Sequence, residues 1–141
     1  MLSVYGSCGV TQMHRIQKIV NFCARVVSGR RRSDHISDVI EQLGWMRAAE
    51  LAEYHTVCAV QRAIATGHPA HICDTIGPRA SELHRHNTRH ADLITRPRIR
   101  TEAGRRRLST RGVELLNGYG LDPAAPAFRA KLKRAIIAAR P

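Results

Sequence analysis

Between Ile16 and Trp45 the chain reads IQKIVNFCARVVSGRRRSDHISDVIEQLGW, two one-sided apolar runs divided by a glycine and three arginines. In the first run Met13, Ile16, Val20, Cys23 and Val27 recur at steps of three and four, Ile19 and Val26 widen the stripe, and His14, Lys18, Asn21 and Arg25 fall opposite. That spacing predicts a helix with one buried face and one basic face. Gly29 is placed for a left-handed helix end, and Arg30, Arg31 and Arg32 follow at the negative end of the helix dipole. Ser33 or Asp34 is then expected to cap a short second helix that carries Ile36, Val39, Ile40 and Leu43 on one side. Asp34 and Asp38 would lie in its first turns and Gly44 would end it. Trp45, the single tryptophan, is expected to plug the gap between helices.

The rest of the chain extends this pattern. Met46 to Thr66 reads as the longest helix, with Leu51, Tyr54, Val57, Cys58 and Ile64 on one side and Gly67 and Pro69 as its stop. Three such helices joined by short turns most simply bury their faces together. From His68 onward Pro69, Gly77 and Pro78 interrupt every period, which predicts a linker with a helical turn near Arg79 to His84. Leu93 to Thr101 and Arg105 to Arg111 suit two short strands around Glu102-Ala103-Gly104, with Pro97 confining the first to a sheet edge. Asn117 to Pro126 is a further break. Pro126 then opens a closing helix with Phe128, Leu132, Ile136 and Ile137 inward and Arg129, Lys131, Lys133 and Arg134 outward.

The expected fold is mostly α. A frayed segment over residues 1–10 precedes a helical unit of about three helices over 11–67. A His/Arg-rich linker over 68–95, a basic loop or short β-hairpin over 96–125 and a C-terminal helix over 126–141 complete it.

At 141 residues the chain suits one domain, and its 43% hydrophobic content excludes wholesale disorder. Aromatics supply only 4%, so the core must be aliphatic and alanine-rich. Lys and Arg outnumber Asp and Glu by 23 to 11, a net charge of +12 that points to polyanionic partners. All but Lys18, Lys131 and Lys133 of these cations are arginines, which suit bidentate phosphate contact. Between Arg79 and Gly112 ten arginines meet three acids, Glu82, Asp92 and Glu102. In an extended segment Arg96, Arg98 and Arg100 project to one face, and Arg105, Arg106, Arg107 and Arg111 prolong the charge. With Arg30, Arg31 and Arg32 these are the candidate contacts to RNA or DNA. The basic segment has neither stacking aromatics nor a recognition-helix signature, so sequence-tolerant phosphate contact is expected.

Chemistry-bearing groups are sparse. Cys8, Cys23, Cys58 and Cys73 are widely spaced, and Cys23 and Cys58 sit on apolar faces, as expected of reduced thiols in an intracellular protein. No run is apolar and long enough to span a bilayer and no signal-peptide pattern occurs, so no membrane partner is expected. His68-x-x-His71-x-Cys73 and His84-x-His86-x-x-x-His90 place imidazole and thiolate at distances that can ligate zinc. Their spacing fits no standard finger or knuckle, and the competing reading is a solvated loop that gains charge below about pH 6.5. No metal and no cofactor are assigned. The aspartates Asp34, Asp38, Asp74, Asp92 and Asp122 are scattered among caps and loops, and no nucleophile elbow, triad or phosphate-cradling glycine loop is present. No catalytic residue is assigned.

Taken in order, several pieces resemble the region after the polymerase domain in reverse transcriptases of jockey-like non-LTR retrotransposons of arthropods. They are Ile16-Gln17-Lys18, Ala24-Arg25-Val26-Val27-Ser28-Gly29, Leu43-Gly44-Trp45, Glu53-Tyr54-His55, the basic PRIRTEAGRRRLSTRG stretch and the Phe128-x-x-x-Leu132-Lys133 helix. The resemblance implies that Met1 begins inside a longer reading frame whose polymerase domain is a partner. Polymerases of this kind need paired metal-binding aspartates, which this chain lacks, so the implied role is non-catalytic: holding template RNA or target DNA beside the polymerase. Where such proteins carry aromatics and a Trp-Asn before a Leu-Pro, this chain has Leu108, Thr110 and Leu115-Leu116-Asn117-Gly118-Tyr119-Gly120. That departure implies weaker packing of the second half. A segment that packs on the polymerase domain, and a degenerate copy without function, are the alternatives.

Overall fold

Every regular element is helical in the computed structural model, which describes residues 7–83, 91–96 and 98–140. The helices are α1 (Val10–Ser28), α2 (Ser37–Gln42), α3 (Ala48–Thr66), α4 (Ala70–Cys73), α5 (Ala80–Leu83), α6 (Glu102–Arg105), α7 (Leu108–Tyr119) and α8 (Phe128–Ala138). Gly29 and Gly67 end α1 and α3 at φ 66° and 68°, left-handed positions that a residue with a Cβ adopts only under strain. Both stops stand where the sequence puts them.

The core is built around α3, and its composition explains the close fit. Val57 and Val60 of α3 meet Val113 and Leu116 of α7 and Phe128, Leu132 and Ile136 of α8, with Ile94 of the preceding loop closing the cluster. The buried strip of α3 is made of Ala48, Ala52, Thr56, Val57, Val60 and Ala63, so few long side chains separate it from α7. Gly112 completes the approach: a Cβ there would run into Val60 Cγ2. Alanine and valine, which the aromatic-poor composition demands, thus let two helix backbones come together. Asn117 fastens the loop to this core, since its Nδ2 donates to the Ile94 carbonyl at 2.9 Å and its Oδ1 accepts from the Ile94 amide at 3.2 Å.

A second, smaller cluster joins Ala24 of α1 to Ile36, Val39 and Ile40, with Trp45 half-buried against it. The expected buried face of α1 is formed only in part: Met13, Ile16 and Val20 are half-buried, while Cys23 and Val27 are exposed. Ala24 is the one buried residue of that helix, while Val10, Ile19, Phe22, Val26 and Val27 are 61–73% exposed. Gln17 Oε1 accepts from the Ala48 amide at 2.7 Å, serving an N–H of the first turn of α3 that has no intrahelical partner. This bond seats α1 on α3 beside the half-buried Ile16 and Val20 and leaves the Phe22, Val26 and Val27 side open.

Three other expectations are corrected. The hairpin over Leu93–Thr101 and Arg105–Arg111 is not formed: the described part of 93–101 is loop, α6 and α7 take up residues 102–105 and 108–119, and the β pairing among the described residues is a single antiparallel bridge between Arg79 and Ile94. Thr101 accepts from the Gly104 amide at 3.2 Å and so caps α6, and Leu108 to Tyr119 wind as α7 because Val113 and Leu116, three apart, both reach the core. The break set at Asn117 accordingly begins at Gly120, which ends α7. Finally, neither Ser33 nor Asp34 caps α2, whose N-cap is Ile36; the Asp34 carboxylate instead accepts from the Arg31 amide at 2.9 Å and closes the preceding turn.

Candidate nucleic-acid interface

Loop, α6 and α7 together shape a polar recess. Ile99 backs onto Gly104, where a Cβ would collide with its Cγ2, and this close contact holds the Arg98–Arg100 segment against α6. The recess, about 530 Å³, is lined by Arg96, Arg98, Ile99, Arg105, Thr110 and Glu114. Thr110 stands in the first turn of α7 and is 7% exposed, and its hydroxyl is buried without a hydrogen-bond partner. The same turn has no acidic residue, and its N-cap is Arg107, which makes no side-chain cap. Such a helix start presents partial positive charge beside three guanidinium groups. One carboxylate opposes them: Glu114 accepts from Arg96 at 2.7 Å. Chemically, the recess offers donors and positive charge to an anion.

The ten arginines singled out from the sequence do not form one surface. Arg96, Arg98 and Arg105 share the recess, while Arg100, Arg106 and Arg107 are exposed outside its lining and Arg111 is half-buried on α7. Arg106 pairs with Glu102 one turn earlier at 3.3 Å. Arg30 and Arg32 line a different groove, of about 800 Å³, with Lys18, Asn21, Phe22, Arg25, Val26 and Gly29, and Arg30 pairs with Asp38 at 3.1 Å. Arg31 is exposed beside it. Of the three arginines aligned by the two-residue period, Arg96 and Arg98 meet in the recess and Arg100 lies outside its lining.

Thr110 and Glu114 were missed because reading Arg105–Arg111 as a strand hides their spacing of four, which puts both on one face of α7. Arg140 was missed as well. It donates through Nε and Nη2 to the two oxygens of Glu50 at 2.8 and 2.7 Å and through Nη2 to the Trp45 carbonyl, a bidentate tie that no local pattern announces.

Of the zinc candidates, His68 and His71 are exposed, Cys73 directs its Sγ to the Ala63 carbonyl at 3.3 Å, and His84, His86 and His90 lie outside the described residues. Among the described residues no three His, Cys, Asp or Glu side chains converge to hold a metal. All four cysteines are free thiols. Burial pushes the Cys58 thiol up, the reverse of an activated nucleophile. No helix among the described residues is long and apolar enough to cross a membrane. Compared with known proteins, the chain matches no family model, no curated protein and no solved structure.

Proposed function

We propose that this chain is a non-catalytic nucleic-acid-binding element that grips RNA or DNA through backbone phosphates, as the resemblance to the post-polymerase region of a retrotransposon reverse transcriptase implies. The observation that carries the reading is the shared recess of Arg96, Arg98 and Arg105, floored by the first turn of α7 with the unpartnered Thr110 hydroxyl. A phosphate there would gain charge-assisted bonds from guanidinium groups and meet an uncapped helix start. The net charge of +12 adds a long-range attraction for a polyanion. The base-reading side is empty by comparison, since Arg96 to Arg111 contains no aromatic residue.

The test is affinity measured at several salt concentrations for duplexes of unrelated sequence. If about five phosphates are engaged, log K falls with log salt at a slope of roughly −4.5, with little change between sequences. Replacing Arg96, Arg98 and Arg105 together by Ala should make that slope shallower by about 2.7. The absence of salt-dependent binding by the parent chain would end the proposal.

A further inference from the structure

The groove beside α1 is a second surface, independent of the phosphate reading, and we infer that it docks an amphipathic helix whose apolar stripe is flanked by acidic residues. The orientation of α1 supplies the first argument. Ile19, Phe22, Cys23, Val26 and Val27 follow one another at helical steps of three and four, so their exposure leaves a continuous apolar band along two turns rather than scattered side chains. The helix is anchored on its other side, by Ala24, the half-buried Met13 and Ile16 and the Gln17 bond to α3, and the band is left open by the fold.

Shape supplies the second. Ile19, Val20 and Cys23 form one wall of a groove of about 440 Å³, and Trp45, Met46 and Leu51 form the other. Concave apolar walls along a helix suit the side chains of another helix laid in the groove. A flat bilayer surface fits that concavity poorly, and duplex nucleic acid has no apolar face to bury Ile19, Val26 and Val27.

Charge selects the occupant. The first 33 residues contain no Asp or Glu and six cations, Arg15, Lys18, Arg25, Arg30, Arg31 and Arg32. Lys18, Arg25, Arg30 and Arg32 border the band on the side of Phe22 and Val26, and Lys133 of α8 stands at the rim of the groove on the other. Two copies of this chain meeting through α1 would oppose cation to cation. A helix with Glu or Asp on both flanks would pair with both rims while burying its stripe against Ile19, Phe22 and Val26.

The test uses the full chain and a labelled synthetic peptide of about 18 residues with a leucine stripe flanked by Glu, long enough to follow the roughly 28 Å of α1. Control peptides keep the leucines but carry Lys, or scramble the order. Trp45, the sole tryptophan and a wall of the groove, reports occupancy through its own fluorescence. The Glu peptide is expected to bind and shift the Trp45 emission, with about tenfold or weaker binding of the Lys and scrambled peptides. A variant with Ile19, Phe22 and Val26 changed to Ser, all exposed positions, should melt as the parent does and lose binding by about tenfold or more. The Arg96/Arg98/Arg105 to Ala variant should bind the peptide as the parent does, which separates this surface from the phosphate recess.

Equal binding of Glu and Lys peptides, or binding unaffected by the serine variant, overturns the inference. So does stripe-dependent binding to phosphatidylserine vesicles without peptide binding, which would assign the face to an anionic membrane. Stripe-dependent dimerisation in sedimentation that the peptide does not reverse would assign it to a second copy.

Discussion

Arg140 grips Glu50 with both carboxylate oxygens engaged, and the two side chains are only 10% and 15% exposed. The pair ties the end of α8 to the first turn of α3, where Glu50 also accepts from the Arg47 amide at 2.8 Å. Burial opposes ionisation of Glu50, but the Arg140 hydrogen bond, the Arg47 amide and the two positive charges outweigh it and hold the carboxyl below its ordinary value of 4.5.

Because Glu50 is more acidic in the folded chain than in the unfolded one, its contribution is fully present above pH 4.5 and is lost as pH falls through the lowered folded value. An acid titration of stability should therefore fall more steeply below pH 4.5 in the parent than in Glu50→Gln. Arg140→Ala leaves a mostly buried carboxylate with the Arg47 amide as its remaining hydrogen-bond partner and should cost about 2–3 kcal/mol in chemical denaturation at neutral pH. Changing both residues to Met should cost less than Arg140→Ala; a larger loss would show that the pair stabilises the fold beyond avoiding an unpaired charge.

Tyr119 offers the opposite limb of the pH profile. Burial and the neighbouring Glu53 carboxylate, which accepts its hydroxyl at 3.1 Å, push its pKa up to about 12. A pKa raised in the folded state means that the stabilisation is complete below pH 10 and disappears as pH climbs toward 12. Ultraviolet titration of tyrosinate should show a late step that is absent from Tyr119→Phe, and the variant should lose less stability between pH 10 and 12. Ionisation of Tyr119 near 10 would contradict the buried contact with Glu53.

At the crossing of α3 and α7, Gly112→Ala sets two effects against each other. The helix interior gains about 1 kcal/mol from the better former, while a Cβ facing the fully buried Val60 forces overpacking worth about 1–3 kcal/mol. Overpacking should win, giving a net loss of about 1 kcal/mol in thermal or chemical unfolding. Combining it with Val60→Ala should cost less than the sum of the single changes, because the added methyl fills space that the second change opens.

Glu114 competes with any anion for Arg96. Glu114→Gln removes a negative charge from the recess and should raise nucleic-acid affinity at low salt by about threefold, an effect that fades as salt rises. Weaker binding in that variant would mean that Glu114 positions Arg96 for the contact instead of opposing it.

Local rules were readable where one residue carries the signal. The stops at Gly29 and Gly67 and the inward set Phe128, Leu132 and Ile136 follow from backbone freedom and helical spacing within a single element. Two features were not readable because they depend on residues far apart. Glu102-Ala103-Gly104 reads as a turn and suggests flanking strands, and Gly112 and Gly118 weaken α7 as an isolated helix; packing of Val113 and Leu116 in the core with α3 is what winds it. The seating of α1 involves Gln17 reaching Ala48, 31 positions away, and nothing in the stripe itself tells that Cys23 and Val27 stay exposed while Met13, Ile16 and Val20 are half-buried. The recess was half visible: the arginines were, while Thr110 and Glu114 appear only once α7 is wound.

That α1 contributes one buried residue, Ala24, means that its opening can be separated from the unfolding of the three-helix core. Breaking the Gln17 bond and withdrawing Ala24 uncovers the half-buried Met13, Ile16 and Val20 and the small Ile36, Val39 and Ile40 cluster but leaves the larger core closed, and Phe22, Val26 and Val27 already face solvent. Amide hydrogens of Val10–Ser28 should therefore exchange through a local transition of low free energy, while those around Val57, Val60 and Val113 wait for global unfolding. The chain carries two tiers of cooperativity, and a ligand on α1 would raise the lower tier toward the upper one.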